Sequence, residues 1–190
     1  AKELNLKIFR MSIEWSRIEP ADGRFDEKEL AHYRAVLDEV RRSGMTPFVT
    51  IFHFCLPKWL ADKGGFTNPQ SHVYFERYAA HLEKNLGDQV DFWTTQNETM
   101  VYLTSGYLLG IWAPGHKNPV LFWRALGNLI RSHAKAYDAI KRNDLSDADG
   151  DGAAAAAGIV MNYGIFDPYD PDSKVNSIMA DKVNYFGNHL

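Results

Sequence analysis

Apolar positions along the chain switch back and forth between two periods, and that switching predicts its elements. Residues 6–13 read as a first strand, mostly apolar, with Arg10 set inside it. Asp26 followed by Glu29 is a capping-box pattern, and Leu30, Tyr33, Val36, Leu37 and Val40 then recur at helical spacing until Gly44. Residues 48–53 form a second strand, whose near-continuous aromatic and β-branched run suits burial on both faces. Asn68-Pro69 reads as N-cap and N1 of a helix striped by Phe75, Tyr78, Ala79, Leu82 and Leu86 and closed by Gly87. Residues 90–95 are a third strand. After it come a short helix over 101–109, a turn at Pro114-Gly115 and a helix over 120–141. Residues 158–163 make a fourth strand, and the chain ends inside a further helix.

Strands alternating with helices predict an α/β fold with a parallel sheet. A doubly wound nucleotide-binding sheet is the obvious rival, but no strand runs into a glycine-rich phosphate turn. Polar residues instead stand at strand C-terminal ends: His53, Asn97-Glu98 and Asn162. That rim is where a (β/α)8 barrel builds its chemistry. Residues 1–190 are therefore read as part of one barrel domain, with 144–158 as a surface insertion. No internal repeat of fixed period is evident.

Composition narrows the partners. The net charge of −3, with acids and bases interspersed, gives no reason to expect nucleic acid or an anionic membrane. No run is long enough for a membrane span, and no signal peptide pattern is present. The chain opens at Ala1-Lys2-Glu3-Leu4 without a Met, as a cut piece would. Cys55 is the sole cysteine, so no internal disulfide forms; a reducing, cytoplasmic location and a buried, inert thiol are expected. Asp147, Asp149 and Asp151-Gly152 match the opening of a calcium loop, but position twelve is Gly158 where the closing Glu belongs. The segment is expected to be mobile and free of metal.

Glu98 ends a strand among aromatic residues, where burial would keep its carboxyl protonated, as a general acid requires. From these residues alone, a salt-bridged structural acid or a cap for the next helix is the favoured reading, since Asn-Glu is a common dipeptide. Asn97 can both donate to and accept from a ligand hydroxyl. His53 suits a scaffold hydrogen bond as well as a contact. Arg10, within an apolar strand, calls for a carboxylate partner.

Residues 10–20, Arg10-Met11-Ser12-Ile13-Glu14-Trp15-Ser16-Arg17-Ile18-Glu19-Pro20, resemble the second-strand signature of glycoside hydrolase family 1, the β-glucosidases and their relatives. His53-Phe54 with Pro57-Lys58-Trp59-Leu60 resembles the third strand of that family. Trp93-Thr94-Thr95-Gln96-Asn97-Glu98 resembles the fourth, and Gly106-Tyr107-Leu108-Leu109-Gly110 and Ala113-Pro114-Gly115 match the family's segment after that strand.

The resemblance implies a TIM barrel, present as a half-barrel of about strands two to five. It further implies a retaining β-glycosidase, a β-glucosidase above others, that hydrolyses terminal β-D-glycosides or oligosaccharides without cofactor or metal. Glu98 would be the acid/base, His53, Asn97 and Asn162 would contact the sugar, and Arg10 would steady the nucleophile region. Thr99 replaces the usual Pro after the acid/base and should loosen the turn. No Glu occurs after Glu98, so the nucleophile is expected outside these residues. The aspartates nearest the rim, Asp167, Asp170 and Asp172, are one methylene short. Two alternatives share these motifs: a 6-phospho-β-glycosidase, and an inactive half-barrel that at most binds sugar or associates with itself.

Overall fold

Four parallel strands lie side by side in chain order in a computed structural model, which describes residues 2–144 and 146–189, without the side chains of Lys2 and residues 186–189. They are β1 (Ile8–Ser12), β2 (Thr46–Phe52), β3 (Phe92–Asn97) and β4 (Ala156–Val160). Between and after them run α1 (Trp15–Ile18), α2 (Glu27–Arg42), α3 (Lys58–Asp62), α4 (Ser71–Leu86), α5 (Thr99–Leu103), α6 (Pro119–Asn143) and α7 (Lys174–His189). The order β1-β2-β3-β4 never reverses. A doubly wound sheet reverses at a switch point; an unbroken sequential order is that of a barrel arc.

The chain separates into two units, Ala1–Val160 and Met161–Leu190. The first holds the sheet and its core. Apolar faces of α2 and α4 supply Leu30, Tyr33, Leu37, Phe75, Tyr78 and Leu82, all buried. Trp15 stacks on Tyr78 with ring centroids 4.8 Å apart. The fully buried Glu19 accepts from Trp15 Nε1 and the Gly23 N–H, each at 2.8 Å, and pairs with Arg77, so its charge is compensated. In the second unit, Phe166 and Asn184 exchange two hydrogen bonds of 2.8 Å, clipping residues 161–173 to α7.

Several boundaries differ from the sequence reading. Helix α4 starts two residues later than Asn68-Pro69 suggested, because Asn68 Oδ1 accepts from the Gln70 N–H and its carbonyl from Ser71, making a separate turn. At α2, Asp26 Oδ1 does accept from Lys28 and Glu29 N–H, but the Glu29 carboxylate pairs with Arg17 instead of reaching back. The Asp26 N–H goes to Ile18 O. The fourth strand begins inside the alanine run, at Ala156, so the expected insertion ends earlier than residue 158.

What remains of the insertion is hydrogen-bonded at two points. Ala148 and Ala155 are buried, Ala148 N–H donates to Asp91 Oδ1 at 3.1 Å, and Ala155 N–H to Asp144 Oδ2 at 2.7 Å. Leu145 of that stretch lies outside the described residues.

Candidate active site

Strand β3 carries one more residue than β4 between the pairs Thr94↔Gly158 and Asn97↔Val160. An extra residue bends a strand and re-aims the side chains after it. It falls immediately before Asn97-Glu98. Glu98 then adopts φ 42 and ψ 56, the left-handed region that costs a non-glycine residue about 1 kcal/mol. Two backbone bonds hold it there: its N–H donates to Val160 O at 2.7 Å, and its carbonyl accepts from Tyr102 N–H at 3.1 Å in the first turn of α5.

Glu98 thus stands at the N-cap position, yet its carboxylate makes no capping bond. No ion pair to it is found among the described residues either. Neither structural duty occupies the carboxylate. The expected burial is not met: Glu98 is half-exposed. Thr99 does not loosen the turn. Its hydroxyl donates to Gln96 Oε1 at 2.8 Å, and Gln96 Nε2 donates to Leu129 O at 2.8 Å, a tether to α6 that a proline could not make.

Asn97, buried, is oriented by its neighbour. Arg10 Nη2 donates to Asn97 Oδ1 at 2.5 Å, and Arg10 Nε to Thr50 Oγ1 at 3.2 Å, with the guanidinium 5.8 Å from the Phe48 ring. With Oδ1 taken by a cation, the Asn97 amide presents its Nδ2 hydrogens; that O/N assignment follows from the network. Arg10 has no carboxylate partner among the described residues, contrary to expectation. It is exposed on β1, so water and two neutral oxygens suffice where burial would have demanded a counter-charge.

His53 lies just beyond β2, exposed, with its ring edge-on to Phe54 at 4.9 Å. Partial burial and then the Arg10 charge push its pKa down, against a smaller upward pull from Glu98. A neutral imidazole offers one donor and one acceptor. Phe54 sits at φ 73 and packs against Trp112 at 5.2 Å. Cys55 is exposed, not buried as the sequence suggested, because the turn at Phe54 swings it outward. Partial burial and the Glu14 carboxylate raise its thiol pKa, which disfavours the nucleophilic thiolate.

The structure therefore brings together Arg10, His53, Asn97 and Glu98. Asn162 belongs to the second unit, exposed, two residues beyond β4. Sequence reasoning missed Thr50, which anchors Arg10, although Ser12↔Thr50 pairing puts it on the neighbouring strand at the site's level. It also missed His133, whose Nδ1 meets the Thr95 hydroxyl at 2.7 Å; a histidine on a long helix carries no signal of this kind.

Residues 1–189 match the profile of glycosyl hydrolase family 1. The β-glucosidase A of Thermotoga maritima is 39% identical over 168 residues, covering 88% of this chain and 36% of that protein. A β-galactosidase of Pyrococcus woesei is 32% identical over 237 residues, covering 100% of this chain and 46% of that protein. Among solved structures, the family 1 β-glucosidase from Thermotoga maritima in complex with isofagomine lactam superposes with a TM-score of 0.86 at 34% identity, over 98% of this chain and 40% of that one. The chain spans less than half the length of each.

Proposed function

Because this chain belongs to glycosyl hydrolase family 1, we infer that it is the acid/base half of a retaining β-glycosidase, with β-glucosides as preferred substrates. The observation that carries this reading is the free Glu98 carboxylate, held in a left-handed turn beside an asparagine whose amide is oriented by Arg10. Strain of this kind persists where surrounding bonds over-determine it, and it gathers at functional sites.

In the complete enzyme a second carboxylate, outside these residues, attacks the anomeric carbon about 5 Å from the first. Glu98 gives its proton to the leaving oxygen, then takes one from the water that releases the sugar. Asn97 Nδ2 and neutral His53 hold sugar hydroxyls meanwhile. No cofactor enters this scheme. That relatives are named β-glucosidase and β-galactosidase supports a β-linked hexose; the solved relative holds a sugar-like inhibitor.

The test is leaving-group dependence in a full-length protein carrying this segment. Glu98→Gln should slow hydrolysis strongly for alkyl glycosides and far less for activated aryl glycosides, which need little protonation, with azide partly rescuing the latter. Acid catalysis by one group is worth roughly a hundred- to ten-thousand-fold. Equal losses on both substrate types would remove Glu98 from the acid/base role.

A further inference from the structure

At the opposite end of β3 from Glu98, acids gather. Asp91, the residue before the strand, meets Asp147 and Asp149 of the loop between α6 and β4, with one carboxylate oxygen from each within 4.8 Å of the others. Crowded surface acids alone mean little. Asp91, however, is only 6% exposed, and its buried Oδ2 has no hydrogen-bond partner, while Oδ1 accepts from the Ala148 N–H. A buried carboxylate oxygen without a donor is costly and calls for a partner. The cationic side chains that reach this loop do not supply it: Arg41 ends on the Gln89 and Ala148 carbonyls, and Lys141 on the Ala155 carbonyl.

We propose that Asp91, Asp147 and Asp149 bind a calcium ion. Oxygens within 4.8 Å of one another need to close by only a few tenths of an ångström to share one ion at about 2.4 Å from each, and an all-oxygen, irregular set suits calcium better than the strict octahedron magnesium demands. The loop already has its binding shape, since Asp147 accepts from Gly150, Asp151 and Gly152 N–H at 2.6, 3.2 and 2.8 Å. Asp147 Oδ2, with a single donor on it, keeps a lone pair for a cation. The metal-free expectation rested on the loop's missing closing Glu. Folding brings a replacement acid from 56 positions upstream of Asp147 (147 − 91), which the loop's own spacing could not reveal. Asp91 and Glu98 stand about 20 Å apart along β3, so the ion ties β3 to the loop before β4 and takes no part in the chemistry.

Calorimetric titration of the purified, chelator-treated 190-residue chain with calcium chloride decides this, with magnesium chloride as a parallel arm. One site per chain should saturate, and a hundredfold excess over Kd should raise the Tm by about 5 °C or more. Asp91→Asn and Asp149→Asn should each weaken binding at least about tenfold, while Asp62→Asn, an exposed acid elsewhere, changes nothing. Should Asp91→Asn fail to fold, the loop variant Asp149→Asn still decides. No saturable binding up to about 10 mM, equal losses in Asp62→Asn and Asp149→Asn, or magnesium binding as tightly as calcium would each overturn the assignment.

Discussion

At the scale of single residues, Glu83 shows how burial sets a charge state. It lies on α4, 3% exposed, with Oε2 lacking a partner. Burial first, and then the charges of Asp144, Asp91 and Asp88, push its pKa up to about 8. Folding therefore favours the protonated form. The stability this contributes is complete below the unfolded carboxyl's ordinary range and is lost as pH rises through about 8. Thermal melts of the chain should show Glu83→Gln nearly neutral at about pH 5 and clearly stabilising at about pH 9. A variant less stable than the parent at the higher pH would mean that the ionised carboxylate has a partner in the folded protein. The apolar stripe read on α4 did not include Glu83, and its charge state, which depends on acids 5 to 61 positions away, was not legible either. The site divides the same way. Glu98, Asn97 and His53 were visible as polar residues ending apolar strands; the Arg10–Asn97 bond, which decides the amide's orientation, spans 87 positions and was not.

At the scale of elements, periodicity found every strand and long helix, because burial stripes follow geometry the sequence repeats every few residues. Ends were less legible. The turn at Asn68 and the start of β4 within the alanines are settled by local hydrogen bonds and by pairing to β3, which apolar spacing does not encode. Two glycines separate conformational from steric demands. Gly44, at φ 77 after α2, has open space where a Cβ would go, so Gly44→Ala costs only the left-handed backbone, about 1 kcal/mol. Gly106 lies in the π-helical turn Thr104–Leu108 after α5, where a Cβ would sit 2.8 Å from Ala113 O and 3.1 Å from Pro114 Cδ. The backbone would have to move, which overpacking data place at about 1–3 kcal/mol. The Gly106 N-terminal neighbour Ser105 receives the Ile111 N–H, and Gly106 itself the His116 N–H, so the shift would displace the loop bearing Trp112 as well. Urea unfolding should rank Gly106→Ala below Gly44→Ala; the reverse order would show that the loop yields without cost.

At the scale of the whole molecule, the open arc predicts how the isolated 190-residue chain behaves. β1 is exposed at every position but Met11, with Ile8 at 62% and Phe9 at 38%, and β4 leaves Ile159 at 38%. Apolar strands left at a sheet edge pair with other chains. Catalysis faces a separate obstacle. No Glu occurs after Glu98, and a retaining mechanism without its nucleophile loses the covalent intermediate, while a lone acid supplies roughly a hundred- to ten-thousand-fold. Asp167, Asp170 and Asp172 fall in the second unit, in chain without regular structure, and each is a methylene shorter than the Glu that the family resemblance implies. The chain alone should therefore elute from size exclusion as dimers or larger species in a concentration-dependent way. Replacing Ile8 by Lys should shift it toward monomer, since a charge on an edge strand opposes pairing. Incubated with a nitrophenyl β-glucoside, it should release no more aglycone than buffer, and Glu98→Gln run beside it should look the same. Turnover in the parent above buffer would mean that a nucleophile is present within these residues, with one of the three aspartates the first to replace by Asn.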